Sequence, residues 1–223
     1  MDECGRLLKE SPGVQIFMAN NLIKRILDMV FSALGLIILS PLLLFISLTV
    51  LILHGSPIMF KQTRPGLHGK PFTMYKFRTM RNLYGQDGCL LPDEDRLTRF
   101  GHWLRSTSLD ELPEFINVLI GDMSLVGPRP LLPEYMDRYT PEQARRHEVK
   151  PGITGWAQVN GRNNLTWEEK FRLDVWYVDN WSLALDFRIL VTTVGRVLRR
   201  DGISAEGCAT MPEFRGTKES HGH

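Results

Sequence analysis

Cysteine is scarce in this 223-residue sequence. Cys4, Cys89 and Cys208 are odd in number, far apart and free of any C-x-x-C spacing. That argues against a disulfide framework or a zinc site and fits a reducing compartment. Charge of one sign is also missing: 27 Lys and Arg face 25 Asp and Glu, a formal net charge of +2. No dense basic stretch accompanies a recognition motif, so nucleic acid is not an expected partner. The strings G-x-x-x-x-G-K, G-x-G-x-x-G and H-E-x-x-H do not occur, which leaves P-loop, dinucleotide and zinc-protease chemistry without support. There is no internal repeat and no low-complexity segment. With 43% hydrophobic residues, the chain can bury one ordinary core and is expected to form one domain beside its long apolar run.

That run, residues 29–53, is 25 residues without a charge, roughly 37 Å as a helix and long enough to span a bilayer. It is too long, and lacks the cleavage site, for a signal peptide. Two features compete with a simple span. Ser40-Pro41 sits at its centre, and both flanks are basic, with Lys24 and Arg25 before it and Lys61 and Arg64 after it. Pro41 removes the N–H that would reach the carbonyl of Ile37, and the Ser40 hydroxyl could bond the Leu36 carbonyl. Positive residues favour the cytoplasm, so a kinked helix that enters one leaflet and returns competes with a spanning helix.

Residues 1–20 read as a tail or short surface helix. Residues 58–80 alternate about the turn Pro65-Gly66-Leu67-His68-Gly69, as in a β-hairpin whose second arm runs over residues 71–80. Lys76 and Arg78 share a face of that arm, as a solvated edge or as phosphate contacts. Residues 81–95 read as a loop. Helical patterns follow over 95–105, 112–121, 133–139 and 141–148. Thr166-x-x-Glu169 is a capping box opening a helix that ends in Trp176, Tyr177 and Trp181, aromatics suited to a membrane boundary or to a core. Phe187, Leu190, Val191, Val194 and Leu198 form one apolar stripe with Arg188, Arg196, Arg199 and Arg200 off its centre, a basic amphipathic helix suited to an anionic membrane surface.

The chemistry concentrates in residues 105–130, RSTSLDELPEFINVLIGDMSLVGPRP. Asp110 and Glu111 precede Pro113, a residue suited to the first position of a helix. Free N–H groups, a hard cation such as Mg²⁺ and a phosphate could converge there. Ser108-x-x-Glu111 equally reads as a plain capping box. Adjacent helical residues project about 100° apart, so the two carboxylates would play different roles, one attacking phosphorus and the other holding Mg²⁺ or moving a proton. Gly127-Pro128-Arg129-Pro130 fixes an arginine between prolines, as a surface turn or as a bidentate phosphate grip. Pro151-Gly152-Ile153-Thr154-Gly155-Trp156 and Asn160-Gly161-Arg162-Asn163 are turn-rich. Arg145, Arg146 and His147 read as a solvated helix face, with membrane or nucleotide contact as the lesser alternative.

Taken in order, Lys24-Arg25, Ser40-Pro41, Tyr75-Lys76-Phe77-Arg78-Thr79-Met80, Ser108-Leu109-Asp110-Glu111-Leu112-Pro113, the segment from Gly121 to Pro130 and Pro151-Gly152-Ile153-Thr154-Gly155-Trp156 resemble the bacterial sugar transferases, monotopic phosphoglycosyl transferases. The resemblance spans roughly residues 20–216. It implies an α+β, mainly α fold: a tail (1–20), a re-entrant membrane helix broken at Ser40-Pro41 (21–54), a cytosolic catalytic domain with a small β-hairpin and short interfacial helices (55–216), and a C-terminal tail (217–223). It implies the catalytic core alone, without the extra transmembrane helices and domain of larger relatives. It implies Asp110 as nucleophile and Glu111 as its partner, both toward Mg²⁺, and Arg129, Lys76, Arg78, Arg105 and Arg162 as candidate phosphate-binding cations. The implied substrates are a UDP-sugar and polyprenyl phosphate at the cytoplasmic face of the bacterial inner membrane, with UMP released and downstream glycosyltransferases as further partners. Residues 204–214 resemble members using N-acetylated amino sugars. The competing readings are a non-catalytic membrane-anchored scaffold and a glycosyltransferase that releases UDP.

Overall fold

A computed structural model of the chain describes residues 12–161, 165–199 and 213–216. Among these the fold is mainly helical with two small sheets. Helix α1 (Pro12–Ile38) and helix α2 (Ser40–His54) meet at a 64° bend. The expected boundary at residue 20 therefore falls inside a helix. Among the described residues no single helix is long and apolar enough to cross a membrane; the bent pair passes that test together. At the bend the Ser40 hydroxyl donates to the Ile37 carbonyl at 2.8 Å, not to Leu36. The reason is the proline: Ile37 is the carbonyl that Pro41 leaves without its N–H, and serine one position earlier supplies the missing donor.

The hairpin is strand β1 (Met59–Pro65) against β2 (Pro71–Phe77), antiparallel, with Phe60 opposite Lys76 and Arg64 opposite Phe72. After the loop come α3 (Asp93–Arg96) and α4 (Arg99–Ser106), where one helix was expected; Thr98 caps α4 by accepting the Gly101 N–H at 2.9 Å. A 3₁₀ turn (Leu109–Glu111) leads into α5 (Glu114–Ile120), which stops at Gly121 in the left-handed region. Ser108 is itself left-handed and caps nothing, so the capping box read at Ser108-x-x-Glu111 does not form. The stretch 133–148 is a 3₁₀ turn (Pro133–Arg138), α6 (Pro141–Ala144) and a second 3₁₀ turn (Arg145–Glu148).

A second sheet has no counterpart in the sequence reading. Strand β3 (Ser124–Val126) pairs in parallel with β4 (Gly152–Thr154). The contact is so close that a Cβ at Gly152 would lie 2.1 Å from the Gly127 nitrogen, and one at Gly127 would lie 2.3 Å from the Lys150 oxygen. These glycines let the Gly127-Pro128-Arg129-Pro130 loop run against the Pro151-Gly152 segment. Helices α7 (Trp156–Asn160), α8 (Trp167–Asp179) and α9 (Leu183–Arg199) complete the order. The Thr166 and Glu169 capping box forms as read. Tyr177 is core rather than boundary, 1% exposed, and Trp181 lies beyond the helix.

The main core joins Phe72 and Met74 of β2 to Val118, Met123, Val126, Tyr177 and Ile189. Helix α1 is fastened to it by polar groups. The Lys24 ammonium meets the Asp186 carboxylate and donates to the Val126 carbonyl at 3.1 Å. The Arg25 guanidinium donates to the Val118 and Leu119 carbonyls, the unsatisfied last turn of α5. Asp28 accepts the Leu125 N–H at 3.1 Å.

Asn117, fully buried in α5, acts as a surrogate strand along β2. Its side-chain oxygen accepts the Tyr75 N–H at 3.0 Å and its amide donates to the Thr73 carbonyl at 2.7 Å. Asn117→Ala leaves two partly buried backbone groups unpaired and should cost about 1–3 kcal/mol, read from denaturant unfolding of the purified chain. A loss under about 1 kcal/mol would mean that these bonds do not hold β2 against α5.

Candidate active site

The 3₁₀ turn Leu109–Glu111 packs between β2 and α4 and presents the two adjacent carboxylates in unlike surroundings. Glu111 is clamped. The Lys76 ammonium donates to its Oε1 at 2.7 Å, and the Arg129 guanidinium forks onto both oxygens, with Nη1 on Oε2 at 3.2 Å and Nη2 on Oε1. Burial alone would raise its pKa, but the Arg129 and Lys76 charges prevail and hold Glu111 far below the ordinary carboxylate range. The same ion pair lifts the Arg129 guanidinium above its usual range.

Asp110 is only 8% exposed, and its carboxylate has no hydrogen bond from the described residues. Burial, then the Glu111 charge, push its pKa up to about 6, against the opposing pull of Lys76, Arg129 and Arg105. It is therefore mostly ionised at neutral pH, poorly hydrated and unpaired, the condition of a ready nucleophile.

Glu114, at the first turn of α5, is a third acid in the cluster and 2% exposed. Lys76 Nζ lies 3.2 Å from its Oε1 without the geometry of a hydrogen bond, and that oxygen has no hydrogen-bond partner. Burial, then Glu111, push its pKa up to about 7. Among the described residues no group of three or more His, Cys, Asp or Glu is arranged to hold a metal.

The loop carrying Arg129 is held from behind. Arg146 is 3% exposed, pairs with the Asp174 carboxylate at 2.7 and 3.1 Å, and donates to the Arg129 carbonyl at 2.8 Å. Fixing the backbone of Arg129 fixes where its guanidinium can reach.

These unlike carboxylates, one clamped and one bare, lie within a chain whose residues 19–200 match the family model described as bacterial sugar transferase. The chain belongs to the bacterial sugar transferase family. It is 56% identical over 196 residues to a Bacillus subtilis protein named uncharacterized sugar transferase EpsL, covering 88% of this chain and 97% of the relative. It is 42% identical to the UDP-glucose:undecaprenyl-phosphate glucose-1-phosphate transferase of Escherichia coli (78% of this chain, 40% of that protein). It is 40% identical to the undecaprenyl-phosphate galactose phosphotransferase of Salmonella typhimurium (82% and 42%). This member thus spans nearly all of the Bacillus relative and about two-fifths of the two enterobacterial ones.

Of the residues read from the sequence, Asp110, Glu111, Lys76 and Arg129 come together. Arg105 donates to the Thr79 hydroxyl at 3.0 Å and lies near enough for its charge to act on Asp110. Arg78 does not join them. It is 7% exposed and spends its guanidinium on the Gly55 and Ser56 carbonyls at 2.9 and 3.1 Å, closing the end of α2. The shared face expected of Lys76 and Arg78 is lost because β2 ends at Phe77. Arg162 lies outside the described residues, as does most of the 204–214 tail. Arg146 and His147, read as a solvated face, are buried; only Arg145 remains outside, paired with Glu142, Glu148 and Asp179. The sequence reading missed Glu114 and Arg146. The available signal for Glu114 was its place one helical turn after Glu111.

Glu114 supplies a test by pH. Its folded pKa lies above the ordinary value, so between about pH 4.5 and 7 the folded state binds more protons than the unfolded state, and Glu114 costs stability as pH rises. Glu114→Gln removes that cost. The variant's stability relative to wild type should therefore improve from pH 5 to pH 8, by roughly 1–3 kcal/mol. Thermal unfolding of both proteins at the two pH values reads the difference, and a difference that stays flat or falls would place no proton on Glu114.

Proposed function

We propose that this member transfers a sugar 1-phosphate from a UDP-sugar to polyprenyl phosphate with release of UMP, through a phosphosugar carried on Asp110. The observation that carries the reading is the asymmetry of the pair: Glu111 is locked between two cations while Asp110 is mostly ionised, buried and free of hydrogen-bond partners among the described residues. The naming of relatives as undecaprenyl-phosphate sugar-1-phosphate transferases supports the same reaction class. A scaffold would gain nothing from an unpaired buried carboxylate, which costs stability.

An Asp110 oxygen attacks the sugar-bearing phosphorus, and the P–O bond to UMP breaks. An oxygen of polyprenyl phosphate then attacks the aspartyl phosphosugar, forming the lipid diphosphate sugar and returning the Asp110 carboxylate. Neither step needs a net proton. Glu111 keeps Lys76 and Arg129 facing the site, so that the two cations meet the incoming phosphates and offset the negative charge gathered there. The arrangement fits Mg²⁺, which takes one or two carboxylates and completes its shell with phosphate and water. Asp110 offers bare oxygens, and Glu111 must share oxygens already engaged. When bound, Mg²⁺ neutralises diphosphate charge.

The membrane reading has physical support of its own. The bent pair α1–α2 carries outward-facing apolar side chains, Ile37 68%, Ile38 71% and Ile52 81% exposed. Phe187, Val191 and Val194 of α9 form an exposed stripe. A re-entrant segment would hold the site at headgroup level on the cytoplasmic face, where a lipid phosphate and a soluble nucleotide sugar can meet.

Tags at Met1 and His223 should both be accessible only from the cytoplasm, and Pro41→Leu, which restores the donor to Ile37, should move the C-terminal tag across in a measurable fraction of molecules. Opposite-side labelling of wild type would sink the re-entrant reading. For the chemistry, enzyme incubated with Mg²⁺ and labelled UDP-sugar but no lipid should release UMP and hold the phosphosugar on the peptide carrying Asp110. Asp110→Asn should abolish both while leaving the fold intact. Below about pH 6 the rate of adduct formation should fall about tenfold per pH unit, because protonated Asp110 cannot attack, and it should level off above. An adduct on Asp110→Asn, or UMP released only when lipid is added, would overturn the covalent step.

A further inference from the structure

Arg64 is a half-buried cation that the proposed reaction leaves unused. Its Nη2 donates to the Gln62 side-chain oxygen at 2.6 Å. Its Nε is buried without a hydrogen-bond partner among the described residues, and it forms no ion pair with a described carboxylate. Burial, and after it the Arg129 charge, make its own cation costly, offset in part by Glu134 and Glu114 acting from beyond ion-pair distance. The Arg129 charge acts on Arg64, and Arg64 is itself half-buried with spare donors. An anion between them relieves both costs.

The register shows where that anion would sit. Phe60 faces Lys76, Gln62 faces Met74 and Arg64 faces Phe72, so Lys76 and Arg64 share one face of the hairpin, four residues or about 13 Å apart along the strands. Arg129 reaches Glu111 beside Lys76 and also acts on Arg64, so it bridges the interval. At the Arg64 end, Pro65 joins Pro128, Arg129, Pro130, Arg146 and His147 around a cavity. The other end of β1 starts just after α2 closes at His54, which puts Arg64 about 17 Å along the strand from the apolar segment. A lipid phosphate held at the headgroup level belongs to the near end; a water-soluble substrate reaches the far end.

We propose that Arg64 is a substrate-binding residue for the nucleotide-side phosphate of the nucleoside diphosphate sugar, gripping it together with Arg129 at the end of the hairpin remote from the membrane segment. This rests on the transfer reaction proposed above, but its test does not need turnover. The detergent-solubilised full chain is titrated calorimetrically with UDP, with uridine as the phosphate-free probe and with a short-chain polyprenyl phosphate. Wild type should bind UDP more tightly than uridine. Arg64→Gln should weaken UDP roughly tenfold or more, while uridine and the polyprenyl phosphate stay within about twofold. Arg64→Met, which keeps the packed stem, serves if Arg64→Gln fails to fold, with the same expected result. Glu134→Gln should leave UDP binding unchanged or tighter. The assignment falls if wild type binds no UDP, if the loss appears with the polyprenyl phosphate instead, if the Arg64 variants bind UDP normally, or if Glu134→Gln loses as much as Arg64→Gln. Absence of UMP release from wild type that still binds UDP through Arg64 would refute the transfer reaction alone.

Discussion

The Glu111 carboxylate between Lys76 and Arg129 is the interaction on which the site depends, because it ties together three segments distant in sequence. β2 brings the ammonium, the 3₁₀ turn brings the acid, and the loop after β3 brings the guanidinium. Mutual neutralisation lets all three charges sit in poorly hydrated surroundings, where isolated charges would be expensive. With both cations committed to Glu111, Asp110 has no hydrogen-bond partner among the described residues. Its carboxylate is destabilised by burial and by Glu111 yet still largely ionised at neutral pH.

Each arm of that clamp has its own support. Asn117 holds β2 against α5 by pairing with Thr73 and Tyr75 on either side of Met74, so Lys76 arrives at a fixed height above the turn. Arg146 and Asp174 form a buried pair whose spare donor holds the Arg129 carbonyl. Breaking such a pair on one side leaves an uncompensated charge, so it fixes geometry more than it adds stability. The glycine-lined contact between Gly127 and Gly152 keeps the same loop pressed onto β4. The geometry of the candidate site is therefore set by contacts that lie outside the acid cluster itself.

Helix α1 couples this domain to the apolar segment. Lys24, Arg25 and Asp28 reach Asp186, the last carbonyls of α5 and the middle of β3 respectively. Tyr177 and Trp181 donate to the same Asp186 carboxylate, so the charged flank of the helix is buried in a hydrogen-bonded knot and not left in solvent. The orientation of the bent helix pair is thus set by the same elements that set the Arg129 loop.

The sequence by itself determined the local features: the hairpin around residues 65–70, the Thr166 and Glu169 capping box, the break at Ser40-Pro41, and the adjacency of Asp110 and Glu111. All of these depend on residues a few positions apart, where turn chemistry, proline and side-chain spacing are decisive. The same local logic named Lys76 and Arg129 as cations but could not say what they face, and it grouped Arg78 with Lys76 because alternation was carried past the end of β2. Only the tertiary structure decided that Arg78 closes α2, that Arg146 turns inward onto Asp174, and that β3 and β4 pair in parallel across 25 intervening residues. It also decided that Asp110 stays bare while Glu111 is clamped. Those outcomes depend on which charge is desolvated beside which, and that energy exists only once segments far apart in the chain have met.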